Sequence, residues 1–418
     1  MIIIKYIFFV NNISGIGGAQ LYILRKSKFL KKHGYDIYII AGIKNKIIYE
    51  EFEQFNILEC KEILISPNVL NSKKRNNIID KFISFTNCQK PNQTLIESHQ
   101  TSPALWAEIF SSKTRLRNFV YPLAPFSLKR KIYKDFFYYK VKKNELIGSS
   151  KSFINDLFGE KFKNVYFNIP FDKNEILSKE YNGHNDNYDL NILTISRIEK
   201  TYIKQSIIDI IDFFKDKEIK VKYDIYLSKT KGDIFDNLER IIKSNLNNKL
   251  EINLKGPVNP LTTDIFEKQD VFIGMGTAVL NAVSMKVPSL VVDYRNNKYY
   301  GFFGYDHFEF GTSNNKAEKD LSYFLEKIIS KNYDIKNIKE KSYDYFLQNY
   351  ENNNINNQFL EYLESFSKDK NSYYNIKFKI YDKYDLLDFV FIKFFGIKNA
   401  LKFRGKILNV INKNKNHL

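Results

Sequence analysis

Arg197 stands just after the apolar run LNILTIS, with Lys200 and Lys204 close behind it. Farther along, FIGMGTAVLNAVSM sets Gly274 and Gly276 between a strand-like run and a small-residue helix that opens at Thr277. Glycines let a backbone approach a ligand closely, and a helix N-terminus offers unpaired N–H groups and the positive end of its dipole to an anion. Thr277 can cap that helix. Arg197 with Lys200 or Lys204 would complete a clamp for a diphosphate. The same pattern also fits a glycine turn with tight helix–strand packing and solvated cations, because a glycine-rich turn alone is a weak signal.

A second set lies in LIESHQTS, where Glu97 and His99 alternate at a strand end and can share one face. His99 would then face a ligand cleft, and Glu97 is a candidate for acid–base work; a structural histidine is the plain alternative. Asp306, His307 and Glu309 in GYDHFEFG form a polar–aromatic cluster, either a surface loop or a cover over a ligand. No H-E-x-x-H or Cys–His pattern points to a metal, and no cofactor is expected.

The elements that must carry these residues alternate regularly. Ile2–Val10 is a nearly continuous apolar run, as in a strand covered on both faces. It breaks at Gly15, Gly17 and Gly18, a helical stretch runs to Gly34, and YDIYIIAG is the next strand. Strand, glycine turn, helix and strand make a βαβ unit, hence a parallel α/β sheet. Strand and helix signals continue to residue 175; residues 176–188 are polar and turn-rich and are expected to be a linker. A second βα series occupies 189–330, and residues 331–418 are expected to form a helical, basic C-terminal extension. The fold class expected is α/β, with two Rossmann-like domains facing a cleft.

The chain has 418 residues, 44% of them hydrophobic and 16% aromatic, enough for two packed cores. Cys60 and Cys88 are the only cysteines, which excludes a disulfide framework and suits a reducing compartment. The opening MIIIKYIFFV is too short to span a bilayer and is expected to be a buried strand, not a signal peptide. A net charge of +18 raises the question of anionic partners. From Ser112 to Lys143 ten cations, among them Arg117, Arg130 and Lys140, face Asp135 alone and interleave with aromatics. That mixture suits an anionic bilayer surface, a single-stranded nucleic acid, or a solvated helix face over a core. After Asp388 the tail has seven cations and no acid, and Leu386–Phe395 is apolar nearly all round, so it needs protein or an interface to cover it.

These motifs, in this order, resemble the GT-B glycosyltransferases of the family 4 kind. GIGGAQLYILRKSKFLKKHGYDIYIIAG is similar to that family's opening loop, helix and strand; LIGSSKSFINDLFG and NVYFNIPFD to the end of its first domain; ILTISRIEK to its donor-phosphate segment; and residues 270–293 to its donor-sugar and ribose segment. The resemblance covers roughly residues 1–330. It implies transfer of a sugar from a UDP- or GDP-linked donor to a glycan, typically lipid-linked, of the surface or capsule type, with retention of configuration and no metal. It implies a cytoplasmic enzyme lying on the inner face of the membrane, with an anionic membrane surface and no nucleic acid as partner. Arg197, Lys200 or Lys204, Gly276 and Thr277 would hold the diphosphate, and Gly274, Met275 and Asn281 the sugar and ribose. Gly17 and Gly18 would form a loop facing donor or acceptor, and His99 would contact one of them. The chain departs from the family at Ile273 and Asn281, where two glutamates are usual; Asn281 can still hydrogen-bond a ribose. The alternatives on the same fold are a sugar-nucleotide 2-epimerase and a non-catalytic glycan-assembly partner.

Overall fold

In the computed structural model the described residues are all but 1–3, 16, 45–48, 89–93, 124–127, 150, 160–164, 173–175, 181–187, 246–247, 312, 314, 367–371 and 416–418; within helices, residues 151–153, 156 and 402–415 are described by their backbone alone. The chain divides into two compact units, 1–170 with 353–418 and 171–352.

Unit 1 is laid down as β1 (Ile4–Asn12), α1 (Gly18–Lys32), β2 (Tyr35–Ile43), β3 (Asn56–Glu59), α2 (Ser72–Thr86), β4 (Thr94–Ser98), α3 (Thr101–Thr114), β5 (Asn118–Val120), α4 (Lys131–Lys142), β6 (Ile147–Gly148), α5 (Lys151–Phe158) and β7 (Val165–Tyr166). Its five-stranded sheet has the order β3-β2-β1-β4-β5, and its pairs are parallel. The apolar run at residues 6–10 of β1 now has its reason. Tyr6, Phe8 and Val10 enter the core on one face of the sheet, Ile7 and Phe9 that on the other. A strand covered on both sides cannot alternate with polar residues.

Unit 2 runs β8 (Leu190–Ser196), α6 (Thr201–Phe214), β9 (Val221–Leu227), α7 (Asp233–Lys243), β10 (Leu250–Lys255), β11 (Val271–Gly274), α8 (Thr277–Ser284), β12 (Ser289–Asp293), β13 (Lys298–Phe302), α9 (Leu321–Ile329) and α10 (Ile335–Tyr350). The sheet order is β10-β9-β8-β11-β12-β13; only β13 is antiparallel to its neighbour. Val271 and Ile273 of β11 pack with α6, α7 and α9, while Phe272 between them packs with α8 and α10. Both units are therefore Rossmann-like, as the alternating sequence pattern leads one to expect.

Two expectations about boundaries are corrected. Residues 176–179 are no free linker: Leu177 N–H donates to Leu261 O, Thr263 N–H donates back to Leu177 O, and the rest of that stretch, 181–187, lies outside the described residues. Nor do residues 331–418 form one extension. Helix α10 packs in unit 2, whereas α11 (Asn352–Ser365) and α12 (Lys383–Lys415) belong to unit 1. Phe359, Leu360 and Leu363 of α11 join the core on the Tyr6–Phe8 face, and Ile392 of α12 that on the Ile7–Phe9 face. Polar residues at the start of α11 hid an inner face that its last two turns supply.

In the basic stretch 112–143, helix α4 lies over a core. Tyr133, Phe136 and Phe137 of α4 point inward. Lys140 is fully buried 2.5 Å from Glu108 and 2.7 Å from Glu145, which also pairs with Arg117. Burial opposes charge on Lys140, but the two carboxylates outweigh it and raise its pKa. Removing the cation takes a buried counter-charge away from two carboxylates, so Lys140→Met is expected to cost roughly 3–5 kcal/mol in urea unfolding. An exposed neighbour such as Lys142→Met is expected to stay within about 0.5 kcal/mol.

Candidate functional site

In a parallel sheet, ligand sites form beyond the carboxyl ends of the strands where the strand order reverses, because the crossovers on either side leave a crevice there. In unit 2 that point lies between β8 and β11, and in unit 1 between β1 and β4. The sequence-derived candidates fall at these two places. Arg197 and Lys200 follow β8, Gly274 ends β11 and Thr277 opens α8, Gly17 and Gly18 follow β1, and Glu97 lies near the end of β4 with His99 just after it.

Arg197, Glu199, Lys200, Ser228 and Lys229 line an open recess of about 490 Å³ beyond β8 and β9. Helix α6 begins at Thr201 with Lys200 as its N-cap, and no side chain caps it. This start separates the two lysines left open by the sequence: Lys200 lies in the recess, and Lys204, a turn inside the helix, is exposed and does not line it. The Lys200 ammonium lies 5.1 Å from the Tyr294 ring centroid. Burial, and after it the like charge of Arg197, lower the Lys200 pKa. Lys229 pairs with Glu199 at 2.8 Å. With three cations against one carboxylate, the recess keeps two positive charges in excess, which a diphosphate would neutralise. Lys229 was not singled out in the sequence; its signal was its place just past a strand end, in YLSKTKG.

At the β11–α8 turn the two glycines have different causes. A Cβ on Gly274 would sit 2.6 Å from the Phe272 ring, so this glycine serves packing. Gly276 has φ +72° with open space around it, so it serves backbone conformation. Gly276, not Thr277, is the N-cap, and no side chain caps the helix. The Gly276 N–H already donates to Phe310 O at 2.6 Å, so it is not the free donor expected of it. The amides of Thr277 and Ala278 at this turn have no acceptor among the described residues. Met275 and Asn281 are half-buried, Met275 against the core and Asn281 on the second turn of α8.

The Phe310 bond also locates the GYDHFEFG loop against the α8 turn. His307 stacks on Tyr300 at 4.5 Å, and burial lowers its pKa to about 4. Tyr300 donates to Asp293, which Arg295 also binds at 2.7 Å. Burial disfavours ionised Asp293, yet the bonds from Arg295, Tyr300 and the Ala317 amide outweigh it and hold the carboxyl at about 2. This part of the cluster is structural, pinning the loop beside α8.

In unit 1 the expectations for Glu97 and His99 are corrected. Both side chains are fully buried. Glu97 accepts from Tyr6, from Tyr22 at 2.7 Å and from Lys26 at 2.6 Å, and lies 3.1 Å from His99 Nε2. His99 Nδ1 is 2.7 Å from Tyr121 O. Burial opposes charge on both partners of the ion pair. For Glu97 the attraction of Lys26 and His99 prevails, giving about 2, whereas for Lys26 burial prevails, giving about 8. Both values leave the pair ionised at neutral pH, and a buried carboxylate so held is not poised to move protons. The network instead ties α1 to the end of β4. Gln100, which follows, was missed by sequence reasoning. It takes φ +61°, ψ 178°, a sparsely populated conformation for a side chain-bearing residue, at the turn into α3. Gly17, the N-cap of α1, has extended φ; it and Gly18 are half-buried.

Among the described residues no cluster of His, Cys, Asp and Glu could hold a metal ion. No family model matches the sequence, and no curated protein does either. Solved structures do match. A glycosyltransferase from Rickettsia africae is similar over 88% of this chain and 99% of its own, at 16% identity and TM-score 0.61. The Anabaena protein HepE in complex with UDP matches over 87% and 100%, at 14% identity and TM-score 0.60. The lipopolysaccharide outer core galactosyltransferase WaaB matches over 86% and 99%, at 12% identity and TM-score 0.54. The chain thus has the two-unit GT-B fold of these glycosyltransferases.

Two expected outcomes follow from this geometry. Gly276→Ala forces a Cβ onto a positive-φ residue and is expected to cost on the order of 1–2 kcal/mol in thermal or urea unfolding, although nothing stands in its way. Glu97→Gln is expected to flatten the acid limb of the stability curve. The Glu97 carboxyl titrates lower in the folded chain than in the unfolded one, so its contribution is full above about pH 4.5 and fades as pH falls toward 2. The gap between wild type and variant in urea midpoint should be widest near neutrality and close in that window.

Proposed function

We propose that the protein transfers a sugar from a nucleoside-diphosphate donor, UDP-linked by preference, to a glycan acceptor carried on lipid. The observation that carries this reading is a cation-lined recess beyond β8 and β9 that shares β8 with the strand-order reversal of unit 2: Arg197 and Lys200 stand beyond β8, and the uncapped start of α8 lies beyond the neighbouring strand β11. A structure of the same fold contains UDP and glucose, the Anabaena HepE complex, at 13% identity and TM-score 0.58.

In such a transfer the bond from the anomeric carbon to the diphosphate oxygen breaks, and a bond from that carbon to an acceptor hydroxyl oxygen forms. The acceptor loses its proton to solvent or a base, and the diphosphate leaves with the bonding pair. Charge gathers on the leaving group, so fixed cations and backbone N–H groups aimed at it lower the barrier without a metal. Arg197 and Lys200 supply the cations, Thr277 and Ala278 the amides, and Asn281 a hydrogen-bonding group for ribose. Gly17 and Gly18, at the matching edge of unit 1, are the candidates for acceptor contact, and retention is the outcome the family resemblance favours. The absence of carboxylates at Ile273 and Asn281 supports one second reading, a partner that binds donor without turning it over.

Thermal-shift titration with UDP, UDP-sugars and GDP tests the proposal. UDP is expected to raise the melting temperature, and Arg197→Ala to weaken its binding about 10- to 100-fold, the loss of a charge-assisted hydrogen bond. A response undiminished in Arg197→Ala and Lys200→Ala alike would discredit the clamp. Donor binding with no sugar transfer or hydrolysis would select the second reading.

A further inference from the structure

Helix α12 presents an apolar face that no described residue covers. It runs from Lys383 and breaks at Gly396, whose φ of +70° and ψ of 166° are not helical. Before that break its two sides differ sharply. Asp385, Phe389 and Ile392 turn inward; Ile392 joins the core beside Trp106 and Phe110, with Phe389 packed against it. Leu386, Leu387, Val390 and Phe394 fall on the opposite side, at helical spacing, and all are exposed. The three most exposed large apolar side chains among the described residues are Phe394 at 71%, Phe395 at 58% and Leu387 at 54%, all on this helix.

The rotation of the helix is fixed by its acids. Asp385 is fully buried and bonds Arg130, Asn68 and the Tyr381 amide. Arg130 reaches Asp388 as well, at 2.8 Å. Asp382 accepts from the Lys131, Tyr384 and Asp385 amides at the start of the helix. Every carboxylate of the segment is thereby engaged with the protein. The other charges of the segment are cations, Lys379, Lys383, Lys393 and Lys398, all exposed. Burial of the outer face was thus prevented by the same ion pairs that seat the inner one.

We infer that this face docks on an anionic phospholipid surface. An exposed apolar stripe rimmed by lysines and free of acids matches a leaflet whose acyl chains accept Leu and Phe and whose headgroups accept ammonium groups. Among the described residues no helix is long and apolar enough to cross a membrane, so the helix would lie in the interface. The charge pattern favours anionic lipid over a second copy of this chain, since two such faces would oppose lysine to lysine.

Co-sedimentation with vesicles tests it, using phosphatidylcholine alone and phosphatidylcholine mixed with phosphatidylglycerol. The full chain is expected to bind the mixed vesicles, to bind them less at high salt, and to bind pure phosphatidylcholine weakly. Phe394→Ser with Phe395→Ser should reduce binding on the order of tenfold or more. Lys383→Glu with Lys393→Glu should remove the preference for the anionic vesicles. Unchanged melting temperatures in the variants show that the fold is kept. Equal binding by wild type and the serine variant would overturn the inference, as would no binding at all. So would a dimer, formed without lipid, that the serine variant dissolves. The donor response, read without vesicles, is independent of all three results.

Discussion

The candidate sites depend on one topological constraint. A parallel sheet must return each strand through a crossover, and when the chain starts in the middle of the sheet the crossovers go both ways. Here β1 and β8 are the central first strands of their units, and β4 and β11 are the strands laid down on their other side. The chain can bare its backbone at these edges because no crossover lies over the point of reversal. The cations after β8 and the helix start after β11 come from segments some eighty residues apart, yet neighbouring strands carry both; Thr194 of β8 bonds Ile273 O of β11 at 2.7 Å.

Buried charge then fixes what the topology leaves loose. Glu97 with Lys26, Lys140 with Glu108, and Asp385 with Arg130 each join elements distant in sequence. Such pairs are dear to bury and cost more to break, so they favour one register over its neighbours. The Glu97 pair sets α1, and with it the Gly17–Gly18 loop, against the end of β4. The Asp385 pair sets the rotation of α12. In both cases a residue that looks available for chemistry or for solvent is spent on position.

This is also where the sequence stopped being legible. Period and glycine placement revealed the βαβ series, since apolar runs such as residues 6–10 suit a doubly covered strand. They could not reveal the return of α11 and α12 to unit 1, because helix–sheet docking depends on which apolar faces meet and not on their order. Spacing put Glu97 and His99 on one face of a strand correctly, but said nothing of Tyr6, Tyr22 and Lys26 closing over them. A glycine reads the same in a string whether it avoids a phenyl ring, as Gly274 does, or adopts a positive φ, as Gly276 does. Gln100 gave no signal at all, since its backbone conformation is imposed by the fold around it.

The residues at 273 and 281 sharpen the chemistry that the proposed reading demands. Ile273 is fully buried in the apolar core on the α6 side of β11, together with Ile192 and Tyr223. A glutamate in its place would have no cation among those neighbours, and an unpaired carboxylate there would be neutral or would unfold the strand. Asn281 is half-buried on α8 and donates or accepts without charge. Neither position therefore supplies an anion near the donor, and the recess keeps its positive excess undiminished. On the proposed reading, an enzyme built this way would gain its rate from the departing diphosphate, whose negative charge grows as the sugar leaves, and its activity would follow the cations at Arg197 and Lys200 more closely than any acid.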